Sequence, residues 1–296
     1  PLFISLLCVF LLRALHTKKQ RYFLLTGIIM GISFYTYQLS QLFPILVGLG
    51  VVYDMVARRS LTKKDVRDIA ILYGVAFVIA LPLMWYTYQH PDVFNQRIGD
   101  VFVLKDTNTL SGQIKILSES VWGVVKMYTI EGDSDPLINI PKRPSLNPFL
   151  SIALLAGIAI SLYRWRHPRY LFLLTWFGLM SAPAFLAEKA AMSKRALGAL
   201  PAAILLITLA LLLPAEWLWR RSQTESGKRW PAIAYTVCVL LGLFFTGFTT
   251  FQDYFLTWGK DLGLYTHYNV GVAEIGEFIS TLPEEETIYL SPTWIE

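Results

Sequence analysis

Apolar runs at 2–12, 22–37, 42–57, 69–87, 147–163, 170–187, 199–218 and 231–250 alternate with polar or basic connectors along the whole chain. A bilayer crossing by a helix needs about 20 predominantly apolar residues. The pattern therefore predicts an all-α multi-pass transmembrane protein with about eight spans. The first run is too short to cross and follows Pro1 with no methionine, so we read it as a truncated span and the chain as an internal fragment. A secretory signal would need a basic segment before its apolar run, and none precedes this one.

The connectors at 13–21, 58–67, 164–169 and 220–229 hold most of the lysine and arginine. Threading the spans in order puts all four on one side, which the positive-inside rule assigns to the cytoplasm. The outer loop 88–146, the connector 188–198 and the tail from 251 then fall outside. Two crossings and a turn between Arg21 and Arg58 leave little length, so a broken hairpin is expected there. Gln38, Ser40 and Gln41 supply its polar turn and Pro44 its helix start, and such a turn ends below the membrane surface in a protein-lined cavity.

Within the outer loop, Ile114, Leu117, Val121, Val125 and Tyr128 recur at helical spacing, while Lys115, Ser118, Glu119 and Lys126 face elsewhere. The period predicts an amphipathic helix between Ser111 and Ile130, either lying in the membrane interface or packed on the rest of the loop. From Phe251 the composition turns polar, with a helix-like stretch at 272–282, then Pro283, three glutamates and a short strand-like run. The expected division is a membrane part at 1–250 and the truncated start of an extracytoplasmic soluble domain at 251–296.

Composition agrees with a lipid environment: of 296 residues, 54% are hydrophobic and 16% charged, and the mean hydropathy is +0.47. The net charge of +5 does not argue for nucleic acid, because the basic residues form short clusters between spans rather than one stripe. Cys8 and Cys238 both sit inside apolar runs, and His16, His90, His167 and His267 are scattered, so neither a disulfide framework nor a zinc site is expected. No nucleophile elbow or phosphate-cradling glycine loop is present.

The remaining chemistry lies at the outer mouths of the spans. Lys194 and Arg195 stand on the side the positive-inside rule disfavours. Such a pair either grips a phosphate, arginine with two parallel donors and lysine as a point charge, or snorkels to headgroups and pairs with Glu188. Arg97 has the same two readings, phosphate contact or a solvated loop residue. Asp133 or Asp135 either binds sugar hydroxyls or caps a turn, and Pro141 and Pro144 hold the stretch extended.

Taken in order, Gly31 to Tyr37 with Pro44, Gly132-Asp133 with Asn139, Pro141 and Pro144, Lys194 to Pro201, and Asp253-Tyr254-Phe255 with Trp258 resemble the bacterial GT-C membrane glycosyltransferases. The nearest branch is the clan of protein O-mannosyltransferases and aminoarabinose (lipid A) transferases. The likeness covers residues 22 to 260. It implies a GT-C-like helical fold with an outer-face cavity built by juxtamembrane helices. It also implies transfer of a sugar from a polyprenyl-phosphate donor to a lipid, glycan or protein hydroxyl, with inversion, at the outer face of the plasma or inner membrane. The family's phosphate-gripping residue falls on Arg195, with Lys194 and Arg97 as helpers, and Tyr35, Tyr37, Gln41, Asp133 and Asn139 line the substrate cavity. The catalytic aspartate lies on an outer loop upstream of this chain. The chain departs from the pattern at Gln41, where relatives often carry an arginine nearby. No cofactor is implied, and a divalent metal held by that upstream loop is left open. A transporter or flippase, which needs ionisable residues near the midplane, and a non-catalytic scaffold are the alternatives. Asp54 and Glu216, the acidic residues within the spans, lie near span ends.

Overall fold

The computed structural model describes residues 1–91, 103, 109–187, 193–224, 229–283 and 288–289. Among these the chain is all-helical. Its helices are α1 (Leu2–Thr17), α2 (Gln20–Ser33), α3 (Phe43–Arg58), α4 (Lys63–Gln89), α5 (Leu110–Thr129), α6 (Pro148–Tyr163), α7 (Pro168–Phe185), α8 (Leu200–Thr224), α9 (Trp230–Phe251), α10 (Leu262–His267) and α11 (Val270–Ser280). Short 3-10 turns at Gln38–Leu42 and Ser193–Ala196 lead into α3 and α8.

Among the described residues four helical segments are long and apolar enough to cross a membrane: Gln38–Arg58, Lys63–Gln89, Leu200–Gln223 and Trp230–Lys260. The apolar runs expected at 2–12 and 147–163 form helices of 16 residues each. The run expected at 22–37 ends sooner: α2 has 14 residues, or about 21 Å at 1.5 Å per residue, against a hydrocarbon core of about 30 Å. The chain then breaks into turns at 34–36 before the Gln38–Leu42 turn and α3, with Pro44 in the first turn of that helix. The expected break with its polar turn and helix-starting proline is thus present.

Three clusters hold the described part of the bundle, the smallest being Val124 and Met127 of α5 with Ala184 of α7 and Ala196 of the Ser193–Ala196 turn. In the first, Leu7 and Leu11 of α1, Met30 of α2, Leu46 of α3 and Met180 of α7 are buried together. In the second, Leu154 of α6 packs with Ala203 and Leu206 of α8. The helices approach closely through small residues, as expected where the surrounding lipid is itself apolar and gives no hydrophobic drive to association. A Cβ on Gly27 would lie 2.4 Å from the Leu72 carbonyl oxygen, and one on Gly31 would lie 2.7 Å from Ile79 Cβ, so the Gly27–Gly31 face of α2 lies directly on α4. Gly157 of α6 meets the Leu206 backbone of α8 in the same way, at 2.1 Å. The outward face is the inverse: Leu240, Leu241, Phe244 and Phe248 of α9 are all exposed, as a lipid-facing helix requires.

The two ends of the bundle differ in chemistry. At one end Lys18 bonds Asp54 at 2.8 Å and Arg58 bridges Asp54 and Asp65, tying the α1–α2 connector to the end of α3 and the start of α4. Thr62 caps α4 reciprocally with Asp65, which satisfies two otherwise orphaned donors. Arg169, at the start of α7, lines one cavity with Asp54 and another with Glu216 of α8, so the other basic connectors share this end. The turns at 34–42, the segment 130–147 and the Ser193–Ala196 turn lie at the other.

Candidate functional site at the polar end

Pro82 interrupts α4 and cannot donate to the ladder. One turn before it, the Ile79 carbonyl accepts from Tyr35 Oη at 2.7 Å, which holds the turn after α2 against α4. Between them opens a cavity of about 620 Å³ lined by Tyr35, Tyr37, Gln41, Ala80, Met84 and Thr87 among others. Three of the expected substrate-cavity residues therefore share one cavity. Both tyrosines are about half exposed, at 51% each, so their rings are open to a ligand, while the Tyr35 hydroxyl proton is already given to Ile79.

The basic turn is built separately and then docked. Trp176 of α7 donates from Nε1 to the Gly198 carbonyl at 3.0 Å in a buried setting, and Ala196 and Ala199 are buried beneath the turn. This fixes residues 193–199 against α7 and leads into α8, where Pro201 occupies an early position that suits its missing donor. Leu39, buried in the Gln38–Leu42 turn, lies against Gly198. The tyrosine cavity and the basic turn are thereby neighbours.

Asp133 joins the third piece. Its Oδ1 accepts from the Asp135 amide at 3.0 Å and its Oδ2 from the Ser193 amide at 3.1 Å, and the residue is 7% exposed. Backbone bonds from Gly132 to Lys142 and from Lys142 to Asp133 close the loop. Asp133 thus caps its own turn and also anchors the basic turn. Asp135 meets Lys194 at 3.7 Å, a partly exposed pair whose energy is small. Asn139 is engaged within the loop, donating to the Arg143 carbonyl at 3.3 Å and accepting from the Ile140 amide.

Arg195 differs from these. Its Nη1 is buried and finds no hydrogen-bond partner among the described residues. A buried guanidinium nitrogen left without an acceptor is costly. Glu188, the alternative partner for the basic pair, and Arg97, the third expected phosphate contact, lie outside the described residues. Among the described residues no group of three acidic, histidine or cysteine side chains could hold a metal ion.

The loop is braced by contacts the sequence pattern did not single out. Arg143 pairs with Asp253, Trp258 Nε1 donates to the Pro136 carbonyl at 2.7 Å and Tyr268 Oη donates to the Leu137 carbonyl at 3.0 Å. The expected boundary at 251 falls inside a continuous helical rod, because the chain runs from α9 through a π turn at Gln252–Thr257 to Lys260. That wider turn carries Asp253, the residue that Arg143 meets. Inserted turns of this kind often mark functional sites.

The amphipathic helix expected between Ser111 and Ile130 is α5. Its inner side is Ser120, Val124 and Met127, while Ile114, Val121, Trp122 and Val125 are exposed. Tyr128, near its end, lies 3.3 Å from the Ser181 hydroxyl of α7, and burial pushes the phenol above its ordinary range. The helix is therefore docked through one side and presents an apolar stripe on another.

Compared with family models, curated proteins and solved structures, the chain matches none.

Proposed function

We propose that the chain is the membrane part of a GT-C-like glycosyltransferase, acting on a polyprenyl-phosphate sugar donor and a hydroxyl acceptor on a lipid, glycan or protein. The observation that carries this reading is the buried, unpartnered Nη1 of Arg195 in a basic turn at the end opposite the basic connectors. A lipid phosphate oxygen would supply the missing acceptor and complement the charges of Arg195 and Lys194. The neighbouring cavity of Tyr35, Tyr37 and Gln41 offers aromatic faces and an amide suited to a sugar.

In this reading the basic end faces the cytoplasm, the shorter helices α1, α2, α6 and α7 complete about eight crossings, and the segment beyond Lys260 lies outside. The acceptor hydroxyl oxygen attacks the anomeric carbon as the bond from that carbon to the phosphate oxygen breaks. The bonding pair leaves on the phosphate, and a general base takes the hydroxyl proton. Attack opposite the leaving group inverts the centre. Arg195 and Lys194 offset the charge that grows on the phosphate, a role often worth about 3 kcal/mol per donor in enzymes.

Photolabelling tests the reading without requiring turnover. A photoactivatable polyprenyl phosphate should label the chain in membranes, with labelling competed by unmodified polyprenyl phosphate. Arg195→Ala should cut it about tenfold, Arg195→Lys less, and Lys115→Ala, at an exposed position of α5, not at all. Equal labelling of the wild type and Arg195→Ala would sink the proposal.

A further inference from the structure

At the opposite end, two slots open on either side of Phe172. One, of about 510 Å³, lies between α1 and α3, with Leu11 and Tyr53 among its lining. The other, of about 450 Å³, lies between α1 and α8, with Leu205, Leu209 and Leu212 on one wall and Trp176 deep in it. Leu12, Arg169 and Phe172 line both. Trp176 is two turns further along α7 than Arg169, so the second slot runs about 10 Å along the helix, from the polar boundary into the apolar zone.

The mouth is cationic. Arg13, His16 and Arg169 line the first slot, and Arg169 is exposed, its guanidinium carbon 5.4 Å from the Tyr170 ring centroid. The acidic residues present are already engaged: Asp54 by Lys18 and Arg58, and Glu216 by Arg220 at 3.5 Å. Two apolar slots joined beneath one set of basic residues have the shape and charge of a two-chained anionic amphiphile. Basic pockets between helices at the cytoplasmic side of membrane proteins bind such headgroups.

We infer that this site holds one anionic diacyl phospholipid of the leaflet at the basic end, an acyl chain in each slot on either side of Phe172 and the headgroup phosphate against Arg169 with Arg13. Close packing of Gly50, where a Cβ would lie 2.9 Å from Phe172 Cε2 and 3.2 Å from Leu11 Cδ2, closes the inner side of the first slot. The lipid would thereby bridge α1 to α8 across the gap between them. The site is independent of the donor-site reading, which concerns the other end of the bundle.

Native mass spectrometry of the purified chain, released from detergent after incubation with phosphatidylglycerol or phosphatidylcholine, tests this. One phosphatidylglycerol should be retained in preference to phosphatidylcholine. Arg169→Ala should weaken retention about fivefold, the effect of one basic residue near an anionic surface. Leu12→Trp, which fills the shared mouth from an exposed position without altering charge, should reduce retention of the same lipid. Lys64→Ala, exposed at the same end on α4, should leave it unchanged. Equal retention of both lipids, or undiminished retention in Arg169→Ala and Leu12→Trp, overturns the inference.

Discussion

Leu39 and Gly198 interlock: a Cβ on Gly198 would stand 2.2 Å from Leu39 Cδ2 and 3.2 Å from Met180 Sδ. This contact joins the turn that bears Gln41 to the turn that bears Arg195, so geometry at one is felt at the other. Gly198→Val should therefore destabilise the chain by about 1–3 kcal/mol through overpacking, read as a lowered Tm in detergent. Leu39→Ala in the same chain should recover part of the loss, because it vacates the space the new methyl groups need.

The bracing of the 133–143 segment by the tail has its own signature. The partly exposed Arg143–Asp253 pair contributes up to about 1 kcal/mol, and the Trp258 bond to Pro136 about the same. Removing both in Arg143→Ala/Trp258→Phe should speed amide hydrogen exchange in 132–143 and leave the amides of α1–α3 unchanged. Unaltered exchange in the loop would show that Asp133 and its backbone bonds hold it unaided.

Helix α2 is too short to be held by length and depends on contact with α4. Gly27→Leu must displace the Leu72 backbone, which cannot yield as a flexible side chain would. The expected result is a loss of stability at or above the upper end of the overpacking range, about 3 kcal/mol. Gly74→Leu on α4, where a Cβ meets nothing within 4 Å, should be far milder.

Outside the spans, Tyr265 of α10 donates to Glu274 of α11 at 2.5 Å. The bond to that carboxylate, with a smaller contribution from desolvation, holds the phenol above its ordinary value. A raised folded value means that the bond's support for the α10–α11 pair is present below the unfolded phenol value and is lost as pH rises through the folded one. An ultraviolet phenolate titration should show that, among the late-ionising tyrosines, one moves earlier in Glu274→Gln.

The sequence by itself determined the helical class, the segregation of basic connectors, the broken hairpin at 38–44 and the amphipathic helix of the outer loop. Each is local: apolar run length, charge placement, a proline and a 3.6-residue period act within one turn or one helix. It also brought Tyr35, Tyr37 and Gln41 to attention, and these do share a cavity. Only the tertiary structure decided that Asp133 accepts from the Ser193 amide, that Asp135 meets Lys194, and that Asp253 and Tyr268 brace the loop from distant positions. Those partners are separated by 59 to 131 residues, and no periodicity carries information across such a gap. The Arg195 nitrogen that finds no acceptor among the described residues belongs to the same class, since its burial arises from neighbours on other elements and leaves no mark in the local pattern.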